Sequence, residues 1–275
     1  MRFRSTVFCL AVILSGVTHG SNTAYGQSPA LVDAMTWSNA YYQQGQYSEA
    51  IPYATEALRL AEHEFGPDHP NTATYFNNLA TLYQAQGNYA EAEPLYQRSL
   101  AVWEKVLGPE HPDVAASLNN LALLYAAQAN YAKAEPLYQR SLAIREKALG
   151  PEHPNLAASL NNLAVLYRDQ ENYAKAEPLY QRSLAIMEKA LGPEHPNVAA
   201  SLKGLGDIGR NQGNYAEAEP LYQRSLAILE RAFGPEHPNI AKVLDSYAAL
   251  LRETGRNDGA ADMENRANAI RAKVE

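Results

Sequence analysis

The sequence predicts an all-α solenoid of about six stacked helix pairs. Three observations predict it. The string Gly-Pro-Glu/Asp-His-Pro recurs at Gly66, Gly108, Gly150, Gly192 and Gly234, always 42 residues apart. Between these marks the text nearly repeats: residues 117–150 read SLNNLALLYAAQANYAKAEPLYQRSLAIREKALG, and residues 159–192 read SLNNLAVLYRDQENYAKAEPLYQRSLAIMEKALG. Each period also holds two runs of helical spacing with a short break between them. A fixed period of this length marks supersecondary units that bury their apolar faces against neighbouring units rather than around one centre.

The elements follow in order within a period. Leu118, Leu121, Ala122 and Tyr125 fall at i, i+3, i+4 and i+7, one face of a first helix. Ala129-Asn130 breaks the chain, and a second helix puts Tyr131, Ala134, Tyr138, Leu142 and Ala148 on its inner side. Asn88 suits an N-cap, with Glu91 three residues on completing a capping box. Gly108 sits where a helix ends, Pro109 stops it, and Pro112 suits the first turn of the next. Pro94, Pro136, Pro178 and Pro220 lie about six residues into the second helices, where the missing N–H predicts a regular kink.

Of 275 residues 46% are hydrophobic, enough for a substantial core. The net charge of −7 and a pI near 5.6 argue against gripping nucleic-acid phosphates or an anionic membrane through bulk charge. Cys9, the one cysteine, excludes an internal disulfide and a cysteine-based zinc or iron–sulfur site. Residues 1–26 read as a secretory signal: Arg2 and Arg4, an apolar run from Val7 to Val17, then a small, polar exit. The run is too short for a transmembrane helix, which needs about 20 residues. Ala24 and Gly26 favour cleavage before Gln27, with Thr18-His19-Gly20 a weaker second choice. Cleavage removes two positive charges from −7 and leaves −9. The expected location is therefore the periplasm or the outside of a bacterium. An uncleaved anchor is the alternative, and the one route to a membrane.

Leu121, Ala122 and Tyr125, then Ala134 and Tyr138, match the tetratricopeptide (TPR) signature in spacing. With the 42-residue period, the LNNLA-x-LY core, NYAEAEPLYQRSLAI and the LGPEHP linker, the chain resembles the repeats of kinesin light chain and its bacterial relatives. The resemblance covers residues 29–275. Units 71–112, 113–154, 155–196 and 197–238 are complete. Unit 29–70 diverges, with Trp37 for Leu and Ser38 for Ala, and unit 239–275 ends in a polar helix as an exposed cap requires. The resemblance implies a right-handed superhelix whose first helices line a concave groove. That inner face would hold Thr74, Asn77, Thr81 and Gln84, then Ala116, Asn119, Leu123 and Ala126. It continues through Ala158, Asn161, Val165 and Arg168, then Ala200, Lys203, Asp207 and Arg210, and ends at Lys242, Asp245, Ala249 and Arg252. Asn78, Asn120 and Asn162 flank the stripe. In the family, asparagines at this pair of positions contact the backbone of an extended peptide. A carboxamide both donates and accepts, so it serves a peptide's N–H and C=O without reading its side chains. Bracing of the adjacent helix is the other use of these amides, and the two are compatible.

The C-terminal half of the groove sets Arg168, Lys203, Arg210, Lys242 and Arg252 against Asp169, Asp207, Asp245 and Glu253. An acidic group of the ligand is expected near Lys203 and Arg210. The histidine row, His69, His111, His153, His195 and His237, reads as caps or braces of the linker, because units about 10 Å apart cannot converge on one metal ion. Glu91/Glu93 and Glu217/Glu219 read as solvated helix faces, and the tyrosines opening or closing the helices as packing residues with a wet hydroxyl. No hydrolase elbow, zincin or phosphate-loop motif occurs. Residues 201–215, SLKGLGDIGRNQGNY, depart from their siblings: Gly204 stands for Asn, Gly206 for Ala and Gly209 for Tyr, which suggests a hinge, a side pocket or plain drift. The expected function is a non-catalytic scaffold that binds a peptide or partner helix, with no cofactor and no metal. A self-assembling structural protein without a peptide ligand is the alternative. The expected secretory leader separates the chain from any cytoplasmic motor.

Overall fold

The computed structural model describes residues 27–273, so the expected leader, residues 1–26, lies outside the described residues. Within them the chain forms twelve α-helices and no strand. They come as six antiparallel pairs: α1 (Pro29–Gln43) with α2 (Tyr47–Phe65), α3 (Pro70–Ala85) with α4 (Tyr89–Leu107), and α5 (Pro112–Ala127) with α6 (Tyr131–Leu149). The second half holds α7 (Leu156–Asp169) with α8 (Tyr173–Leu191), α9 (Val198–Asn211) with α10 (Tyr215–Phe233), and α11 (Pro238–Glu253) with α12 (Asn257–Arg271). Two compact units divide at Ala148, α1 to α6 and α7 to α12. In the first, α2 packs on α3 and α4 on α5; in the second, α8 packs on α9 and α10 on α11.

The turn between paired helices needs a left-handed residue. Gly45, Gly87, Gly213 and Gly255 supply it with φ of 73 to 80°, but Ala129 (φ 56°) and Glu171 (φ 58°) take the same position without glycine's freedom. The N–H groups of Ala129 and Asn130 donate to the carbonyls of Ala126 (2.9 Å) and Tyr125 (2.8 Å), which closes the helix end.

The Gly-Pro-Glu/Asp-His-Pro linkers are built for structure. Each histidine turns its Nδ1 back to accept from the N–H two residues on, at 3.1–3.2 Å for His69, His111, His153, His195 and His237. At His69, His111 and His237 the imidazole thus does the work of an N-cap carboxamide, while His153 and His195 brace the N-cap residues Asn155 and Asn197. The linker's acid is held by the second helix of the following pair: Asp68 by Arg98 and Lys105, Glu110 by Lys147 (3.1 Å), Glu152 by Lys189 (2.5 Å), Glu194 by Arg231 and Glu236 by Lys273. Arg140, Arg182, Arg224 and Arg266 reach the proline carbonyls of the same linkers. Such exposed pairs contribute little singly, and their recurrence every 42 residues keeps the linkers in register.

Inside each of the four middle pairs a buried serine ties the helices. Ser99, Ser141, Ser183 and Ser225 donate to the carbonyls of Ala73, Ala115, Ala157 and Ala199 at 2.6–3.1 Å. The second helices α2, α4, α6, α8 and α10 are each 19 residues long and run unbroken through their prolines, Pro52 included.

Two local expectations need correction. Asn88 occupies the N-cap position of α4, yet its side chain donates to Gln86 (3.0 Å) and makes no cap bond. Gln86 is itself anchored on Ser48, donating to its hydroxyl at 2.9 Å. Asn172 does accept from the Lys175 N–H, whereas Asn214, like Asn88, makes no cap bond. Gly204 and Gly206 of α9 leave no void. A Cβ on Gly204 would lie 2.4 Å from the Tyr180 ring, and one on Gly206 2.8 Å from the Tyr222 ring, so each glycine is the space its tyrosine fills.

Candidate functional site

The first-helix face of α3 and α5 carries the amide stretch. Asn120 Nδ2 donates to Asn77 Oδ1 at 2.8 Å, across one pair to the next. Tyr96, buried on α4, sends its hydroxyl through to this face, donating to Gln84 Oε1 at 2.8 Å and lying 3.1 Å from Thr81 Oγ1. Asn78 and Asn77 are half-buried. Asn119, at 5% exposure, is buried and engaged within the protein, so it is Asn120 and not Asn119 that stands beside Asn77. The Asn119 neighbours Leu118, Leu121 and Leu123 are buried as well.

On α7, α9 and α11 the same register becomes ionic. Asn161 accepts from Ser201 (3.0 Å), and Asn162 is half-buried and engaged. One pair on, Asp207 takes the place of Thr81 and Arg210 that of Gln84, while Arg168 holds the Gln84 place on α7. Arg168 donates to Asp207 (2.9 Å) and to Asp169 (2.8 and 3.1 Å), Lys203 Nζ to Asp207 (2.7 Å), and the Tyr222 hydroxyl to the other Asp207 oxygen (2.9 Å). Burial works against a charge on Asp207, but Lys203 and Arg168 overcome it and hold the carboxyl below its usual range. Burial likewise opposes the Arg168 charge and is overridden by the acidic groups around it, so its pKa rises. Burial and Asp207 push the Tyr222 phenol up. The buried Tyr180 hydroxyl has no partner, because Val165 and Arg168 replace Thr81 and Gln84, the two residues that bond the Tyr96 hydroxyl.

Lys203 is thus committed to Asp207, and Arg210 donates to Glu253 at 3.2 Å. Lys242 is half-buried and engaged as well. A ligand carboxylate arriving there would compete with acids already seated. The glutamates are not all solvated either: Glu93 accepts from Tyr125 (2.7 Å) and Glu219 from Tyr247 (2.7 Å), each a strut from one pair to the next. Among the described residues no group of three His, Cys, Asp or Glu could hold a metal ion. The chemistry on offer is amide hydrogen bonding along one face and a self-neutralising ion cluster in the other unit.

The tetratricopeptide repeat family profile matches residues 33–93, 74–147, 113–189, 156–210 and 207–273, overlapping spans that cover nearly all the described chain. The chain belongs to the tetratricopeptide repeat family. It is of the kinesin light chain-like kind: it is 30% identical to kinesin light chain TPR-like repeats from Podosopora anserina, covering 75% of this chain and 99% of that one, with a TM-score of 0.63. A crystal structure of BtubC (BKLC) from P. vanneervenii is 25% identical, covering 84% of this chain and 91% of that one, with a TM-score of 0.64. The apo form of RapI, 18% identical over 89% of this chain and 84% of that one, shares the fold at a TM-score of 0.66. No curated protein matches the chain. A TPR stack is a protein–protein interaction scaffold, and the TPR fold is typically non-catalytic.

Within the TPR frame, the residues missed from sequence are the second-helix tyrosines Tyr96, Tyr180 and Tyr222. Their hydroxyls pass between helices to the first-helix face. The signal was their 42-residue recurrence together with the changes at 81, 84, 165, 168, 207 and 210, where donors and acceptors exchange.

Proposed function

We propose that the chain is an exported scaffold that holds an extended peptide along the first-helix face of α3 and α5 by its backbone. The observation that carries this is the Asn77–Asn120 pair. One hydrogen bond between them leaves the Asn77 NH2 group and the Asn120 carbonyl oxygen for an outside partner, a donor and an acceptor side by side on a half-buried face. A peptide backbone offers the complementary C=O and N–H. The Gln84 amide and the Thr81 hydroxyl beside it are set by Tyr96, so little ordering entropy is lost on binding. The ligand's acidic group expected near Lys203 and Arg210 gains no support from cations that already hold carboxylates. The peptide is therefore recognised chiefly by backbone.

Display of a random peptide library on the purified chain, followed by affinity measurement, tests this. Binders are expected to lose at least about tenfold when Asn77 and Asn120 are both replaced by Ala, each lost bond being worth about 1 kcal/mol. Unchanged affinity with an unchanged circular dichroism spectrum, or no binder from the library, sinks it. Export is proposed from residues 1–26, and N-terminal sequencing of protein recovered outside the cytoplasm is expected to begin at Gln27.

A further inference from the structure

Each later pair covers a fixed set of positions with the pair before it. Leu79 on α3 and Leu121 on α5 are 4% exposed. Leu79 packs in the cluster that includes Ala54, Ala57 and Leu58 of α2, and Leu95 of α4 lies against it. In the first pair the same register, 42 residues upstream, holds Trp37 and Tyr53, which are 54% and 37% exposed. With Tyr41 they form one aromatic surface: Trp37 lies 6.3 Å from each tyrosine ring, and Tyr41 stacks on Tyr53 at 5.6 Å.

The last pair is finished differently. Tyr96, Leu100 and Trp103 on α4, like Tyr222, Leu226 and Leu229 on α10, occupy the positions that become Glu264, Asn268 and Arg271 on α12. Those three are tied up at the surface: Glu264 by Arg252 at 2.5 and 2.7 Å, Arg271 by Asp245 and Asn268 at 2.8 Å each. An ionic layer cannot receive an aromatic one without stripping its charges of water.

We propose that the Trp37–Tyr41–Tyr53 face is a dimer interface on which two copies of this chain meet head to head. The face continues the interface already used between pairs, so the surface that completes it is another helix-pair layer. The chain's own last pair cannot be that layer, which rules out head-to-tail growth. The same face on a second copy, related by a two-fold axis, can, and such a contact closes on itself. An aromatic at this register does take an aromatic from the neighbouring layer: Tyr247, the counterpart of Trp37, stacks on Tyr222 at 6.0 Å. A 15-residue helix is about 22 Å long and a pair about 20 Å wide, so each copy contributes roughly 450 Å², about 900 Å² in all. That is below the standard interface of about 1,600 Å², so the dimer is expected to be weak and reversible.

Sedimentation equilibrium between about 1 and 300 μM tests this on the full chain and on a chain beginning at Gln27. A Trp103→Phe background leaves Trp37 as the single tryptophan and so the optical reporter. The expected result is a rise from one to two chain masses with a blue shift of Trp37 emission over the same range. Trp37→Arg and, separately, Tyr53→Lys should raise the dimer Kd at least tenfold; the second variant keeps the test alive should the first misfold. A monomer at 300 μM with solvent-exposed Trp37 in both chains overturns the proposal. So does a monomeric full chain whose Trp37 is shielded at every dilution and exposed once residues 1–26 are gone, since the leader would then be the occupant. Masses beyond two chains also overturn it. None of these readouts depends on the peptide face, so the two proposals fail separately.

Discussion

At Ala129 and Glu171 the backbone makes the left-handed turn that glycine makes at the four sibling positions. An L-residue there costs about 1–2 kcal/mol, and replacing it by glycine loosens the unfolded chain by about 0.4–1 kcal/mol in return. The first effect wins. Ala129→Gly and Glu171→Gly should each stabilise by about 0.5–1 kcal/mol, seen as an upward shift of the melting midpoint by about 2 °C in calorimetry. Asp207 poses the opposite case. Its carboxyl is held below the usual range in the fold, so it contributes stability above the unfolded carboxylate pKa of about 3.9, and that stability is lost as the pH falls through the lower folded value. Asp207→Asn should destabilise by about 3 kcal/mol at neutral pH, because Lys203 loses its counter-charge and Arg168 keeps only Asp169, and should flatten the acid limb of a urea midpoint against pH. An equally steep acid limb in the variant would put the pH response elsewhere.

At the scale of the helix, α9 shows which local signals can be read from sequence and which cannot. Its glycines stand out against the siblings, and a propensity loss of about 1 kcal/mol each is legible from the letters alone. Their cause is not, because it lies 24 residues away in Tyr180 and 16 residues away in Tyr222. Gly204→Ala gains that propensity but sets a Cβ 2.4 Å from a buried ring, so steric overlap decides the sign. A net loss of about 1–2 kcal/mol in chemical denaturation is expected, and a gain would mean the ring moves freely. The helix pairs, their turns and the histidine caps were readable because period, glycine and proline are local. The Asn77–Asn120 bond, the Arg168–Asp207–Lys203 cluster and the burial of Asn119 were not, since each depends on which of two adjacent amides or charges the packing turns inward.

For the molecule as a whole, a stack in which most packing is with the next pair should unfold by parts. Hydrogen exchange on Asp207→Asn is expected to show lost protection across α9 and α10, whose Lys203 and Tyr222 share that carboxylate, while α3 to α5 keep theirs. Uniform loss over all twelve helices would instead indicate a single cooperative body. The coarse function was legible at this scale, because a tandem repeat has no single centre in which to gather a catalytic set.

The ionic outer layer of α12 also constrains how such a gene can change its length. Glu264, Asn268 and Arg271 would be buried charges and amides if anything were appended after them, so copy number can grow only upstream, by duplication of an interior block such as 155–196. Unequal recombination between near-identical blocks does this without disturbing either terminus. A lineage can thereby lengthen or shorten the protein in steps of one block while its two ends keep their sequences.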